Sequence, residues 1–107
     1  VSTPNTIDWI PILKALADES RLRIIELLLK GPKRVGEISE TLEISNYNAS
    51  KHLRVLREAN LVVMQKEGKT KDCSISPEFR KTLEDNQYVL DLGCCTFRFD
   101  QHQPDPQ

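Results

Sequence analysis

ISNYNASKHLRVLREANLV, residues 44–62, is the stretch on which the reading of the whole chain turns. Ser45 stands directly before a run in which Ala49, Leu53 and Leu56 recur at helical spacing. A serine there can accept a backbone N–H of the first helical turn, so a helix is predicted to open after it. Around that apolar stripe lie Asn46, Tyr47, Asn48, Ser50, Lys51 and Arg54, which are polar or long. Just upstream, VGEISETLEIS (35–45) places Val35, Ile38 and Leu42 on one side of a shorter helix. Two helices joined tightly around Glu43–Ile44 make a helix-turn-helix. In such a unit the first residues of the second helix reach base edges in the major groove.

Working toward the N-terminus, Lys30-Gly31-Pro32 stops a helix in which Leu22, Ile25 and Leu29 share a face widened by Ile24 and Leu28. Ser20 is the expected cap of that helix. Before it, Ile12, Leu13, Leu16 and Ala17 form the apolar face of a first helix, capped by Thr6 or Asp8, with Pro11 expected in its first turn. Residues 1–5 are expected to be a flexible arm.

Working toward the C-terminus, Leu61 and Val63, then Cys73 and Ile75, read as two short strands around a Glu67-Gly68 turn. Lys66, Lys69 and Lys71 gather at the tip, where they can meet phosphates beside the groove. A basic hairpin following a recognition helix is a wing. Ser76-Pro77 is expected to open a last helix running to about Leu90 and ended by Gly93, with Phe79, Leu83 and Val89 or Leu90 apolar. Beyond it, TFRF alternates so that Phe97 and Phe99 share a side. The chain therefore divides into an arm (1–5), a winged helix-turn-helix domain (6–92) and a cysteine-containing tail (93–107). The fold class is mainly α with a small β-hairpin: five helices and a two-stranded wing.

Length suits a single modest core that a dimer interface would support. The chain carries a formal net charge of −1, but unevenly. From Ser45 to Lys71 six bases (Lys51, Arg54, Arg57, Lys66, Lys69, Lys71) face two acids (Glu58, Glu67), a net of +4. From Asp72 onward seven acids outweigh three bases, a net of −4. A basic segment confined to one module is the electrostatic footprint of a groove-docking protein, although a solvated face of ordinary charges gives the same count. No apolar run approaches the roughly 18–20 residues that span a bilayer. The first thirty residues lack the succession of a signal peptide. Three cysteines make a poor disulfide framework, so reduced thiols and a cytoplasmic location without a membrane partner are expected. There is no paired base to activate a thiol nucleophile, no Gly-rich phosphate loop and no metal-hydrolase motif, so an enzyme is not expected.

LKALADESRLRIIELL (13–28), ISNYNASKHLRVLREANLV (44–62) and KEGKTKDCSIS (66–76) resemble the ArsR/SmtB family of bacterial metal- and stress-sensing repressors over roughly residues 10–90. The resemblance implies a homodimer that binds a palindromic double-stranded operator through two recognition helices and leaves it when an effector binds. It also implies a dimer interface made by the first and last helices. By position it assigns Ser45, Asn46, Tyr47, Asn48, Ser50 and Lys51 to the DNA-facing half of the recognition helix, and His52 and Leu53 to its packing half. Chemically, Asn46 and Asn48 can read adenine or bond phosphate, and Lys51 can approach guanine or phosphate. Tyr47 can touch a thymine methyl or a sugar, or pack. Arg54 and Arg57 suit phosphate clamping or pairing with Glu58.

The chain departs from the family where effectors are usually sensed. Many members carry a C-x-C pair in the short helix; KRVGEIS (33–39) places Arg34 and Gly36 there. Others bind zinc through the last helix, yet PEFRKTLEDNQYVLDL (77–92) has no histidine to join Glu78, Glu84, Asp85 and Asp91. Cys94 and Cys95 remain as the candidate input. Thiolates favour soft ions, so As(III) or Sb(III) is the expected effector. Neighbouring thiols point apart in extended backbone, so chelation needs a turn, which Gly93 eases. A direct disulfide between them would be strained. The expected third ligand is a thiol of the other protomer, or hydroxide or a small thiol; Cys73, which reads as core-facing, and His102 are weaker candidates. A redox or persulfide sensor, or simple packing, are the alternatives for the pair.

Overall fold

The computed structural model describes residues 6–93 and 95–99. Their elements run α1 (Thr6–Leu16), α2 (Glu19–Leu28), β1 (Lys33–Arg34), α3 (Val35–Leu42), α4 (Asn46–Glu58), β2 (Val62–Glu67), β3 (Thr70–Ile75), α5 (Pro77–Asp85), β4 (Val89–Asp91) and β5 (Thr96–Arg98). The arm 1–5, Cys94 and His102 lie outside the described residues.

The apolar stripes read from the sequence meet in one core. Ile24, Ile25 and Leu28 of α2, Ile38 and Leu42 of α3, and Ala49, Leu53 and Leu56 of α4 are all buried. Pro11 lies in the second turn of α1 rather than its first, so one intrahelical N–H is missing there. The cap of α2 is Asp18, not Ser20. Its carboxylate accepts from Arg21 N–H at 3.1 Å, which moves the helix start forward by two residues.

The turn between α3 and α4 follows from a Schellman closure of α3. Ile44 N–H donates to Ser39 O at 3.0 Å and Glu43 N–H to Glu40 O at 3.2 Å, with Glu43 left-handed at φ 59. Ser45 then caps α4, as expected, its Oγ accepting from Asn48 N–H at 3.0 Å. Asn60 (φ 63) closes α4 in the same way, with Leu61 N–H on Leu56 O at 3.0 Å.

The wing is wider than two strands. β1 joins the edge of β3, giving an antiparallel order β1-β3-β2. Met64 pairs with Cys73 and Val62 with Ile75, so Val62 and Met64 form the inward face of β2, not Leu61 and Val63. Leu61 is buried, but it precedes the strand. The turn is Gly68-Lys69, one residue later than expected. Gly68 takes φ 62 there, a value glycine adopts without steric cost.

The largest departure comes after β3. The last helix ends at Asp85, and Val89–Asp91 and Thr96–Arg98 form a second antiparallel hairpin. The helix stops because Gln87 turns left-handed at φ 57 and Tyr88 N–H reaches back to Leu83 O at 2.6 Å. Gly93 (φ 89) serves the hairpin turn and does not end a helix. The hairpin packs on the domain through Leu90, Leu92 and Phe99, all buried. Phe99 meets Phe79 of α5 edge-on at 6.4 Å and stacks on Phe97 at 6.5 Å, so the two tail phenylalanines do share a side. The boundary expected at 92/93 falls inside this hairpin.

Candidate nucleic-acid interface and thiol site

Burial of Ala49, Leu53 and Leu56 turns the opposite side of α4 outward. Ser45, Asn46, Tyr47, Asn48, Ser50, Lys51 and Arg54 are all exposed, Tyr47 most conspicuously at 71%. Tyr47, Ser50, Lys51 and Arg54 fall at i, i+3, i+4 and i+7, so they form one stripe. The Lys51 ammonium sits 5.3 Å from the centre of the Tyr47 ring, a cation–π pairing that presents charge and ring together. Arg54 pairs with Glu58 at 3.3 Å, the intrahelical partnership foreseen for it. Asn46 is tied backward instead: the Ser39 hydroxyl of α3 lies 2.7 Å from its Oδ1.

Lys66 and Lys71 are register partners across β2 and β3, so two ammonium groups share one face of the wing. Like charges placed opposite each other in a sheet are unfavourable unless an anion lies between them. Lys69 occupies the turn beside them. All three lysines are exposed.

What holds α4 in place is a clamp that the sequence reading missed. Arg21 Nε donates to Ala15 O at 2.6 Å and Nη2 to Lys14 O at 3.1 Å, gripping the end of α1. Its Nη1 meets His52 Nδ1 of α4 at 3.3 Å. Arginine only donates, so Nδ1 accepts and the imidazole proton is on Nε2. His52 is thus a hydrogen-bonded packing residue, as its position suggested. Burial of the Asp18 carboxyl works against its ionisation, but the Arg21 N–H bond and the Arg21 guanidinium outweigh it and hold its pKa below the ordinary carboxylate value. The clue was the LADESRLR spacing, which sets an acidic cap three residues before an arginine.

The cysteines separate. Cys73 is fully buried between the sheet and the helices, and burial pushes its thiol pKa up. A buried thiol with a raised pKa is the less reactive kind. Cys95 is exposed at the head of the second hairpin, where Leu92 N–H donates to Cys95 O at 2.9 Å. Gly93 N–H is bonded to Asp91 Oδ1 at 2.8 Å, fixing the turn. Among the described residues no three His, Cys, Asp or Glu side chains converge as a metal site. At the usual C-x-C positions, Arg34 ends β1 and caps α3, its N–H on Glu37 Oε1 at 2.9 Å, and Gly36 lies in the first turn of α3.

Residues 18–63, from the Arg21 clamp through the recognition helix to β2, match the bacterial regulatory protein, arsR family. The arsenical resistance operon repressor of Bacillus subtilis is 34% identical over 86 residues, covering 79% of this chain and 77% of that protein. The chain belongs to the ArsR family. The transcriptional activator HlyU of Vibrio cholerae is 42% identical over 66 residues, and the matched region spans 62% of this chain and 61% of HlyU's length. Among solved structures, HlyU from Vibrio cholerae superposes with TM-score 0.67 at 35% identity, covering 88% of this chain and all of that one. The homodimeric winged helix-turn-helix DNA-binding domain of Mb0332 from Mycobacterium bovis superposes with TM-score 0.68 at 28% identity, covering 76% of each chain. The Mb0332 domain is described as a winged helix-turn-helix, and the order α3, α4, β2, β3 here is that fold.

Proposed function

We propose that this chain is a homodimeric transcriptional repressor that docks α4 in the major groove of a palindromic operator and leaves it when a thiol-seeking effector binds. The DNA contacts fall to Ser45, Asn46, Tyr47, Asn48, Ser50, Lys51 and Arg54, flanked by Lys66, Lys69 and Lys71 on phosphate. The carrying observation is the outward stripe of α4, polar and basic, whose reverse side is locked into the core. Support for a second copy comes from an open apolar groove of about 530 Å³ between Pro11 and Ile12 of α1 and Phe79 of α5, beside the exposed Ile10.

The effector is As(III) or Sb(III), taken at Cys94 and Cys95. Each thiol displaces one hydroxide of trihydroxy-arsenic as water, leaving the third position to hydroxide, a small thiol or a thiol of the partner. Exposure of Cys95 beside a fixed glycine turn, with Cys73 withdrawn into the core, supports this pair as the input. A second reading, that the same thiols respond to oxidation, is favoured by likeness to a Vibrio cholerae HlyU structure described as reduced, with TM-score 0.66 at 36% identity. The test is a duplex-release titration with arsenite, antimonite, zinc, copper and peroxide on wild type and on Cys94→Ser/Cys95→Ser. Release of the wild type alone, by arsenite and antimonite alone, supports the metalloid reading. Release by peroxide alone supports the redox reading, and identical behaviour of both proteins refutes a thiol input.

A further inference from the structure

Arg54 and Arg57, both exposed near the end of α4, differ in what they touch. Arg54 is held by the Glu58 carboxylate at 3.3 Å, whereas Arg57 donates through Nη1 to the Met64 thioether of β2. Among the described residues that sulfur is the only side-chain hydrogen-bond partner of Arg57. A thioether is a weak acceptor, while a guanidinium carries five N–H donors in a fork that suits carboxylate or phosphate. The fork is therefore poorly used in the free protein.

Its position offers a better partner. Arg57 follows Ser50 at i+7 and Arg54 at i+3, so it carries the outward stripe of α4 one turn further. Met64, on which it rests, pairs with Cys73 on the inward face of the sheet, and the next pair along that face is Lys66 with Lys71. Burial raises the Cys73 pKa and the Arg57 charge opposes part of that rise, so the guanidinium lies near this same face. Arg57 thus stands between the helix stripe and the wing lysines and joins them into one basic track. We propose that Arg57 is a phosphate-contact residue parked on Met64 in the free protein, and that on duplex binding its guanidinium leaves the thioether for a backbone phosphate between the groove-bound helix and the wing. The exchange replaces a weak neutral acceptor with an anionic one, while Met64 keeps its packing against the core. Every sequence carries phosphates, so the contact adds affinity without base preference. This rests on α4 and the wing being the DNA-reading surface.

The test uses the full chain, a duplex selected from a randomised library, and the variants Arg57→Gln, Arg57→Lys and Met64→Leu, each checked by thermal melting. Anisotropy across a potassium chloride series gives the first readout. Arg57→Gln should weaken binding by about 5-fold near physiological salt and reduce the slope of log K against log salt by about 1. Arg57→Lys should keep the wild-type slope. Met64→Leu, close in volume, should also keep it and bind within about 2-fold of wild type. The second readout uses the single methionine of the chain, which gives one resonance when labelled at its methyl carbon. That resonance should shift when duplex saturates wild type, and most of the shift should be lost in Arg57→Gln. An unchanged slope in Arg57→Gln overturns the proposal, as does a wild-type methyl resonance that duplex does not move. So does a Met64→Leu variant weakened as much as Arg57→Gln, which would make the contact a structural strut. Failure of wild type to bind any duplex in a salt-dependent way would instead refute the DNA-reading role of α4 and the wing.

Discussion

Replacing Arg21 with methionine should cost about 2–3 kcal/mol, because it removes the one side chain that ties α1, the cap of α2 and α4 together. The figure follows from the hydrogen bonds it makes. The 2.6 Å bond to Ala15 O is made beside a fully buried residue, and a hydrogen bond to a charged group there is worth about 1.5–3 kcal/mol. The 3.1 Å bond to Lys14 O is exposed and largely replaced by water. The Asp18 pair, at 3.8 Å with the carboxylate side chain 33% exposed, adds a few tenths of a kcal/mol at most, roughly the lower end for screened pairs. Methionine keeps much of the aliphatic packing, so the loss isolates the polar fork. For a domain near this length the cost lowers Tm by about 10–20 °C. Calorimetry or denaturant melts at one fixed protein concentration read it, since dimerisation makes Tm depend on concentration. Arg21→Lys should recover less than half, as one ammonium cannot span two carbonyls and an imidazole. A loss below about 0.5 kcal/mol for Arg21→Met, or a lysine variant equal to wild type, refutes the clamp.

Asp18→Asn keeps a cap acceptor and removes the charge. Because the folded-state pKa of Asp18 lies below its unfolded value, its charge stabilises above the unfolded pKa, and that contribution fades as pH falls through the folded pKa. Wild type should therefore exceed Asp18→Asn in denaturant melts at pH 7 and converge with it in acid. Native protein treated with iodoacetamide at neutral pH should be alkylated at Cys95 and not at Cys73, whose modification awaits denaturant; peptide mass spectrometry reads both. Lys66→Gln should stabilise the free protein by a few tenths of a kcal/mol, roughly the scale of a cross-strand pair, by relieving its repulsion with Lys71. The same change should weaken duplex binding and flatten its salt dependence.

Much of the reading domain was legible because periodicity, caps and turns agreed. Ser45, Ala49, Leu53 and Leu56 said helix by three separate rules, and α4 lies where they put it. The wing slipped by one residue because Leu61 and Val62 are both buried, the first as the closing contact of α4 and the second as the first inward strand position. Two adjacent apolar residues with different duties cannot be phased by alternation alone. The C-terminal error has a different cause. Phe79, Leu83 and Leu90 keep a helical interval, but the backbone reverses at Gln87 and Tyr88, both at positive φ without a glycine to announce it. Asn86, bonded through Nδ2 to Thr82 O at 2.7 Å, was the available stop signal, and the β-rich YVLDLGCCTFRF after it was the second. Only the Asp18–Arg21 arm of the clamp had a local signal, in LADESRLR; its other partners are backbone carbonyls and a histidine 31 residues away, which no local pattern specifies.

The central claim, that the outward face of α4 and the lysines of the wing meet DNA, is tested most directly by fluorescence anisotropy on a selected duplex across a series of potassium chloride concentrations. Wild type should show log K falling linearly with log salt. Lys51→Gln and Lys66→Gln should each bind more weakly, with the slope reduced by about 1 for each phosphate no longer neutralised. Binding that ignores salt, or that survives both substitutions with an unchanged slope, would contradict it.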